Sequence, residues 1–341
     1  MTVTPHLDHS ATAFRQLADE WQALLAEAAI NHLFYTPVFL ESWWQTLGQG
    51  QLCLVSWREQ ATDRLVGVLP LFIFVNDRHQ RQLGFVGCKD VSDYLDMVIA
   101  PSHRQAVISS LAEVLTNQLP DWDQLILCSI PERSATLTEL TRMGQDQGWS
   151  VHRVQQDVCP VITLPDSWDG YLNSLKRKQR HEIRRKWRRL NQVEHQFRLV
   201  RSPAELETNL ETFIRLHQTS SAEKKRFWDD HHLAFFKLTT QRVAEHGWLK
   251  LYLLDVVGEP AAAMLVFDYH HQFFLYNSGF APGKFAQLSA GNLLTVYTIK
   301  QAIELGRRRY DFLRGDEPYK LQLGGVPEPV CDLTISRSRQ G

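Results

Sequence analysis

The same order of elements is written into this chain twice: helices, a three-strand meander, one helix, one strand. In the first copy Phe14, Leu17, Trp21, Leu24 and Ala28 recur at helical spacing. Thr36 and Pro37 then supply an N-cap and a first helical position for a helix through Trp43 and Trp44 that closes near Gly48. QLCLVSW (51–57), RLVGVLPLFIFV (64–75) and QLGFVG (82–87) read as antiparallel strands, followed by a helix over about 103–118 and a strand at 124–130. In the second copy, helices are expected over 172–190, 202–217 and about 231–246, and strands at 248–257, 261–269 and 273–280. A helix at 289–305 and a strand at 309–314 complete it. The offset is roughly 185 to 200 residues, which predicts two copies of one α/β unit with a boundary between Pro160 and Pro165.

Composition narrows the class. At 341 residues the chain has room for two domains, and 44% hydrophobic with 22% charged residues excludes a disordered polymer. The longest apolar run, 66–75, contains Gly67 and Pro70 and is half as long as a bilayer span, so it reads as a buried strand. MTVTPHLDHS has no basic patch leading into an apolar run, so no signal peptide or membrane insertion is expected and the location is read as cytoplasmic. Cys53, Cys88, Cys128, Cys159 and Cys331 are widely spaced and include no CxxC pair. They are expected as reduced, buried thiols, with neither a disulfide frame nor a metal site.

YDFLRGDEPYK, 310–320, is where chemistry concentrates. Tyr310, Phe312 and Leu313 are strand formers, Asp311 points to the other face, and Gly315 releases the backbone into Asp316, Glu317, Tyr319 and Lys320. An apolar strand that opens at its carboxyl end into acid, phenol and amine is a common way for an α/β fold to present a site. The helix before it starts at LSAGN, with Ser289 as N-cap and small residues Ala290 and Gly291 at its mouth. Its first N–H groups and dipole suit a phosphate, although an ordinary capped helix reads the same way. The first copy has no glycine at the matching helix mouth (100–111), and its strand runs into PERS, so the chemistry is expected in the second.

PVFLESWWQTLG (37–48), LVGVLPL (65–71), SLKRKQRHEIRRKWRRL (174–190), LSAGNLL and YDFLRGDEPYKLQLG (310–324), in this order, resemble the CelD-like or FemAB-like acetyltransferases of the GNAT superfamily over nearly the whole chain. The resemblance implies two tandem GNAT-like domains, each a mixed, mostly antiparallel sheet flanked by helices. Residues 1–160 would form a degenerate N-terminal copy and 161–341 the copy carrying the donor site. It implies an N-acyltransferase using acyl-CoA, acetyl-CoA in the first instance, with Ser289, Gly291 and Asn292 against the pyrophosphate and Arg314 grouped with them. Ala290 stands where relatives often carry proline, and the fuller glycine-rich loop is absent. In Fem-type peptidyltransferases a lysine in an aromatic-Lys stretch near the end is thought to steady the reacting carbonyl, and Tyr319–Lys320 matches that pair.

Direct acyl transfer to an amine needs a base, an oxyanion donor and a proton for the leaving group, and no covalent intermediate. Asp311 or Glu317 is assigned to the amine proton, Lys320 to the oxyanion and Tyr319 to the leaving group. Asp311 as a structural carboxylate and Tyr319 as a packing phenol are the plainer alternatives. The acceptor is expected to be a small, sugar-linked or peptide amine.

Residues 176–189 hold nine Lys or Arg and one Glu, so with an overall charge of −1 the remainder carries −9. Lys176, Arg180, Arg184 and Arg188 share one face, while Leu172, Leu175, Ile183, Trp187 and Leu190 form a buried stripe. Lys176 and Arg180 are therefore candidates for phosphates of coenzyme A, of a nucleotide-linked acceptor or of tRNA, set against a plain solvated face. Asp93 and Tyr94 in the loop 89–96, and Trp228 in 217–228, are candidate acceptor contacts. Two other functions stay open: an aminoacyl-tRNA-dependent Fem-type peptidyltransferase, and a non-catalytic protein that binds a nucleotide or polyanion.

Overall fold

The computed structural model describes residues 2–88, 91–283 and 285–337. The chain divides into two compact units, residues 1–157 with 329–341, and residues 158–328. The sequence reading placed a single boundary near 160–165. The fold crosses between units twice, and the last strand of the expected second domain belongs mostly to the first unit.

The first unit contains β1 (Val3–Asp8), α1 (Ala13–Gln16), α2 (Ala18–Glu27), α3 (Pro37–Leu47), β2 (Gln51–Glu59), β3 (Leu65–Val75), β4 (Arg81–Phe85), β5 (Val98–Ile99), α4 (Arg104–Glu113), β6 (Gln124–Pro131) and α5 (Ala135–Asp146), and ends within β7 (Ser150–Thr163). The meander is β2–β3–β4, paired antiparallel as expected, and β6 joins β4 in parallel. α3 begins as its sequence dictates: Pro37 occupies the first turn and Thr36 Oγ1 accepts from the Phe39 N–H at 3.3 Å. The opening helix breaks into two at Leu17, where each piece turns its own apolar residues inward. β1, β7 and α5 escaped the sequence reading. β1 and the first half of β7 are polar and only partly buried, so they carry no apolar period.

One expectation about the cysteines is overturned. Cys88 and Cys128 form a disulfide, whereas Cys53, Cys159 and Cys331 are free and buried. The parallel β4–β6 pairing sets Gly84 against Ile126, which brings the ends of two strands forty residues apart in sequence alongside each other.

The second unit continues through the end of β7 with α6 (Trp168–Ser174), α7 (Arg177–Leu190), β8 (His195–Leu199), α8 (Pro203–Ser220), α9 (Ala222–Phe227), α10 (Asp230–Glu245), β9 (Leu249–Val256), β10 (Glu259–Tyr269), β11 (Gln272–Phe280), α11 (Ala290–Glu304), β12 (Arg309–Asp311), α12 (Pro318–Gln322) and the start of β13 (Val326–Ser336). Its strand order is β7–β12–β11–β10–β9–β8, antiparallel throughout except for β12 beside β11. The remainder of β13, from Pro329, pairs with β6 in the first unit. Both hairpins of this meander turn on two residues with positive φ, Val257–Gly258 and His270–His271, whose twist matches that of the flanking strands. The helix expected over 172–190 is broken at Leu175 and Lys176, both extended. Leu175 drops into the core there, and α7 starts afresh with its own phase.

The core of the second unit gathers the inner faces of β9, β10 and β11, the buried stripe of α11, and Tyr171, Ile183 and Leu190 from α6 and α7. Among the described residues no helix is long and apolar enough to cross a membrane.

Candidate active site

β11 is nine residues long but pairs with β12 over only three, ending at Phe274 beside Asp311. Beyond that point the parallel neighbours part. On the β11 side the register with β10 slips between Leu265 and Val266, leaving Tyr276 as the extra residue of a bulge. On the β12 side Asp311 Oδ1 accepts from the Leu313 N–H at 2.8 Å, and Leu313 takes a φ of 57°. This side-chain turn bends the chain out of the sheet, so the strand expected to reach residue 314 stops at 311.

The loop that leaves β12 is held from beneath. Lys320, 3% exposed, donates through Nζ to the carbonyls of Leu313 (3.1 Å), Arg314 (2.7 Å) and Gly315 (3.2 Å), with Glu317 Oε2 at 2.8 Å. An ammonium has three protons, and four acceptors already surround this one. The arrangement differs from the sequence assignment of Lys320 to an oxyanion, because the cation is turned back onto its own loop. Asp311, 0% exposed, is committed to the same loop. Gly315 has a φ of 116°, and a Cβ there would lie 2.4 Å from Glu317 Oε2. Arg314 contributes its carbonyl to Lys320 and is partly buried, while Glu317 is exposed.

Two helices flank the opening. α12 begins with Pro318 in its first turn, and Tyr171 Oη donates to the Leu323 carbonyl just past its end at 3.0 Å. α11 starts after Ser289, which has a φ of 54°; its side chain makes no capping bond, so its hydroxyl does not act as the expected N-cap. Gly291 lies where a Cβ would meet the Phe280 ring at 3.4 Å. The first N–H groups of α11 have no intrahelical acceptor by geometry.

α7 is fastened over the start of α11. Trp187 stacks on Phe197 at 5.7 Å, Phe197 stacks on Tyr297 of α11 at 4.1 Å, and Arg189 Nη1 donates to the Gln287 carbonyl at 3.0 Å. Between α7, α11 and α12 lies a cavity of about 210 Å³. Lys178, Gln179, Glu182, Ile183 and Lys186 line it from α7, Asn292, Leu293 and Val296 from α11, and Tyr319, Gln322 and Leu323 from the α12 segment. Glu182 is forked by Arg185 at 2.8 and 2.6 Å, which holds its carboxyl below the usual range. Burial lowers the Lys186 ammonium from its ordinary value, Arg185 adds to the effect, and Glu182 at 3.9 Å opposes it. Burial, aided by the Glu317 charge, holds the Tyr319 phenol far above its ordinary range, so it stays protonated at neutral pH.

At the far end of β11 a second polar cluster closes over the separated strand. His217 Nδ1 accepts from Trp228 Nε1 at 3.0 Å, which leaves Nε2 to donate to Asn277 Oδ1 at 3.0 Å. Lys224 Nζ donates to the Ser278 carbonyl at 2.5 Å. Gly279 permits this docking, since a Cβ there would stand 2.3 Å from the His217 backbone nitrogen.

The cavity thus brings together Asn292 and Tyr319 of the sequence candidates. Lys176 is exposed at the N-cap of α7 and Arg180 bonds Asn173 Oδ1 at 3.1 Å; neither lines the cavity. Asp93 and Tyr94 belong to the first unit. Tyr94, a candidate acceptor contact from the sequence, is 2% exposed and stacks on His32 at 4.3 Å. Lys89 and Asp90 of that loop lie outside the described residues. Trp228 serves His217 and packs on Phe236. Sequence reasoning missed Lys178, Gln179, Lys186 and His217, while Lys224 fell in the segment 217–228 that it read as a candidate acceptor loop. For Gln179 and Lys186 the signal was their place one turn to either side of the buried Ile183; Lys178 lies five residues before it.

A meander whose last strand splays from a parallel partner, with a helix mouth at the opening, is the arrangement of the GNAT fold, and the chain as a whole has the tandem, FemAB-like form of that fold. Residues 177–321 match the family model described as an acetyltransferase (GNAT) domain, a little under half of the chain. No curated protein matches the sequence. Among solved structures, FemX superposes with a TM-score of 0.68 at 13% identity over 98% of this chain and 97% of its own. L-PGS from Bacillus licheniformis gives 0.56 at 12% identity over 95% and 92%. A tandem GNAT protein from the clavulanic acid biosynthesis pathway gives 0.51 at 12% identity over 99% and 100%. At such identities the likeness is one of fold.

Proposed function

We propose that this protein is an N-acyltransferase that moves an acyl group from acyl-CoA, acetyl-CoA in the first instance, to the amine of a small, sugar-linked or peptide acceptor. The carrying observation is the cavity of about 210 Å³ that sets Asn292, at the mouth of α11, opposite Tyr319 on α12. The donor's pyrophosphate then meets the first N–H groups of α11 near Ser289, Gly291 and Asn292, and the thioester points toward the parted strands. The amine nitrogen attacks the thioester carbon, the C–S bond breaks, and Tyr319 gives its proton to the leaving thiolate. Burial keeps that phenol protonated at neutral pH, so the proton is present to be given. Glu317, exposed beside the loop, receives the amine proton, while Asp311 and Lys320 hold the loop in shape.

The test is thiol release from acetyl-CoA by the purified protein with a panel of amines, beside Gly291→Trp, whose indole would fill the helix mouth. Acyl transfer that the variant abolishes is expected. An inert wild type that instead consumes aminoacyl-tRNA would replace this reading with the Fem-type peptidyl transfer.

A further inference from the structure

The face that α7 turns to the cavity has a composition that the donor reading alone does not require. Lys178 and Lys186 stand two turns apart and line the same cavity, and the acid between them, Glu182, is already forked by Arg185. Among the described residues Lys178, which is exposed, makes no ion pair, and Lys186 pairs only with that same Glu182, at 3.9 Å. The Lys186 side chain is 19% exposed, so its charge stands largely out of water with a weak partner. Gln179, in the same wall, has its Oε1 buried with no hydrogen-bond partner. The partly buried Lys186 ammonium, with only a weak partner, favours an anion, and an orphaned amide oxygen asks for a donor. A phosphate ester whose carrier bears hydroxyl or amide N–H groups supplies both. The helix carrying these residues is fixed to α11 by the Trp187–Phe197–Tyr297 stack and by Arg189, so the wall is preformed.

We infer that Lys178 and Lys186 of α7 form a phosphate-binding wall of the cavity, with Gln179 accepting from the bound molecule, and that this wall takes the phosphates of the acyl donor in place of a glycine-rich loop. The inference rests on the cavity being the donor site, and it assigns the work to two lysines that differ from Lys176 and Arg180. Arg184 and Arg188, on the same helix, do not line the cavity and are not part of the wall.

Calorimetric titration of the full chain with CoA, with pantetheine, which lacks phosphates, and with inorganic pyrophosphate tests it. The variants are Lys178→Met/Lys186→Met and, as a control that removes equal charge, Arg184→Gln/Arg188→Gln, each checked for an unchanged circular dichroism spectrum. The expected result is CoA binding weakened at least tenfold in the lysine double variant, with pantetheine unaffected and the arginine double variant within about twofold of wild type. Restoration by Lys178→Arg/Lys186→Arg would separate the loss of charge from a loss of packing. Equal weakening in the two charge-removing variants overturns the wall, since a diffuse cationic field would then suffice. CoA binding indifferent to Lys178 and Lys186 also overturns it while leaving the donor reading in place. Lysine-dependent binding of pyrophosphate without any binding of CoA upholds the phosphate wall and removes acyl-CoA as the donor. Binding of neither overturns the inference.

Discussion

Lys320 Nζ lies 2.7 Å from the carbonyl oxygen of Arg314, and this bond ties the short helix α12 to the loop that leaves β12. The neighbouring carbonyls of Leu313 and Gly315 accept from the same nitrogen, so one buried cation satisfies three main-chain oxygens that the departing strand leaves without sheet partners.

Replacing Lys320 by Met therefore strikes stability as well as turnover. Each carbonyl left dry and unsatisfied costs roughly 1 to 3 kcal/mol, and partial rewetting limits the sum, so a loss of about 2 to 4 kcal/mol in urea unfolding is expected. A variant with unchanged stability and lost turnover would restore Lys320 to the chemistry.

His217, 3% exposed, gives the fold a defined acid sensitivity. Burial first, then the Lys224 charge, lowers its pKa from 6.5 to about 3, with the Asn277 bond opposing. Between those values the unfolded chain binds a proton that the folded chain refuses, so stability falls as pH drops from about 6.5 toward 3, by up to roughly 1.4 kcal/mol per unit. Urea unfolding at pH 7, 6 and 5 should show this slope, and His217→Asn should flatten it.

Tyr319→Phe removes only a hydroxyl from the cavity wall. If the phenol protonates the leaving group, kcat falls by about a hundredfold with KM for the donor little changed. Because the phenol's pKa is raised, its ionisation should not limit the wild-type rate at any pH below 10. An equal kcat in the variant assigns Tyr319 to packing.

Gly279→Ala tests the docking of α8 on β11. Its Cβ would stand 2.3 Å from the His217 nitrogen and 2.6 Å from the Leu216 carbonyl carbon, both main chain, so the helix must move. A loss of about 1 to 3 kcal/mol is expected, together with exposure of Trp228, which fluorescence quenching would read.

The two meanders, the helices that begin at Thr36 and Ser202, and the start of α11 at Ala290 were legible because apolar period acts over a few neighbours, as do the caps of the first two helices. Ser202 Oγ does accept from the Glu205 N–H, as its place before Pro203 predicts. β7 and β13 were not legible. The first half of β7 is polar, β13 opens on Val326–Pro327, and their pairing partners lie far along the chain, so nothing local marks them.

The wall of the cavity shows the same limit at finer scale. Sequence alone determined that residues 176–189 make a cationic helix with a buried stripe through Ile183, since charge and period are properties of the segment itself. It also determined that a polar cluster follows β12. Which lysines face the cavity was decided by the break at Leu175–Lys176 and the stack of Trp187 on Phe197, which set the rotation of α7. Whether Lys320 faces a substrate or its own loop was decided by the turn that Asp311 imposes on Leu313. The rotation of α7 follows from contacts between segments distant in sequence, which exist only once the chain has folded, whereas the Asp311–Leu313 turn is a local bond that no apolar period marks.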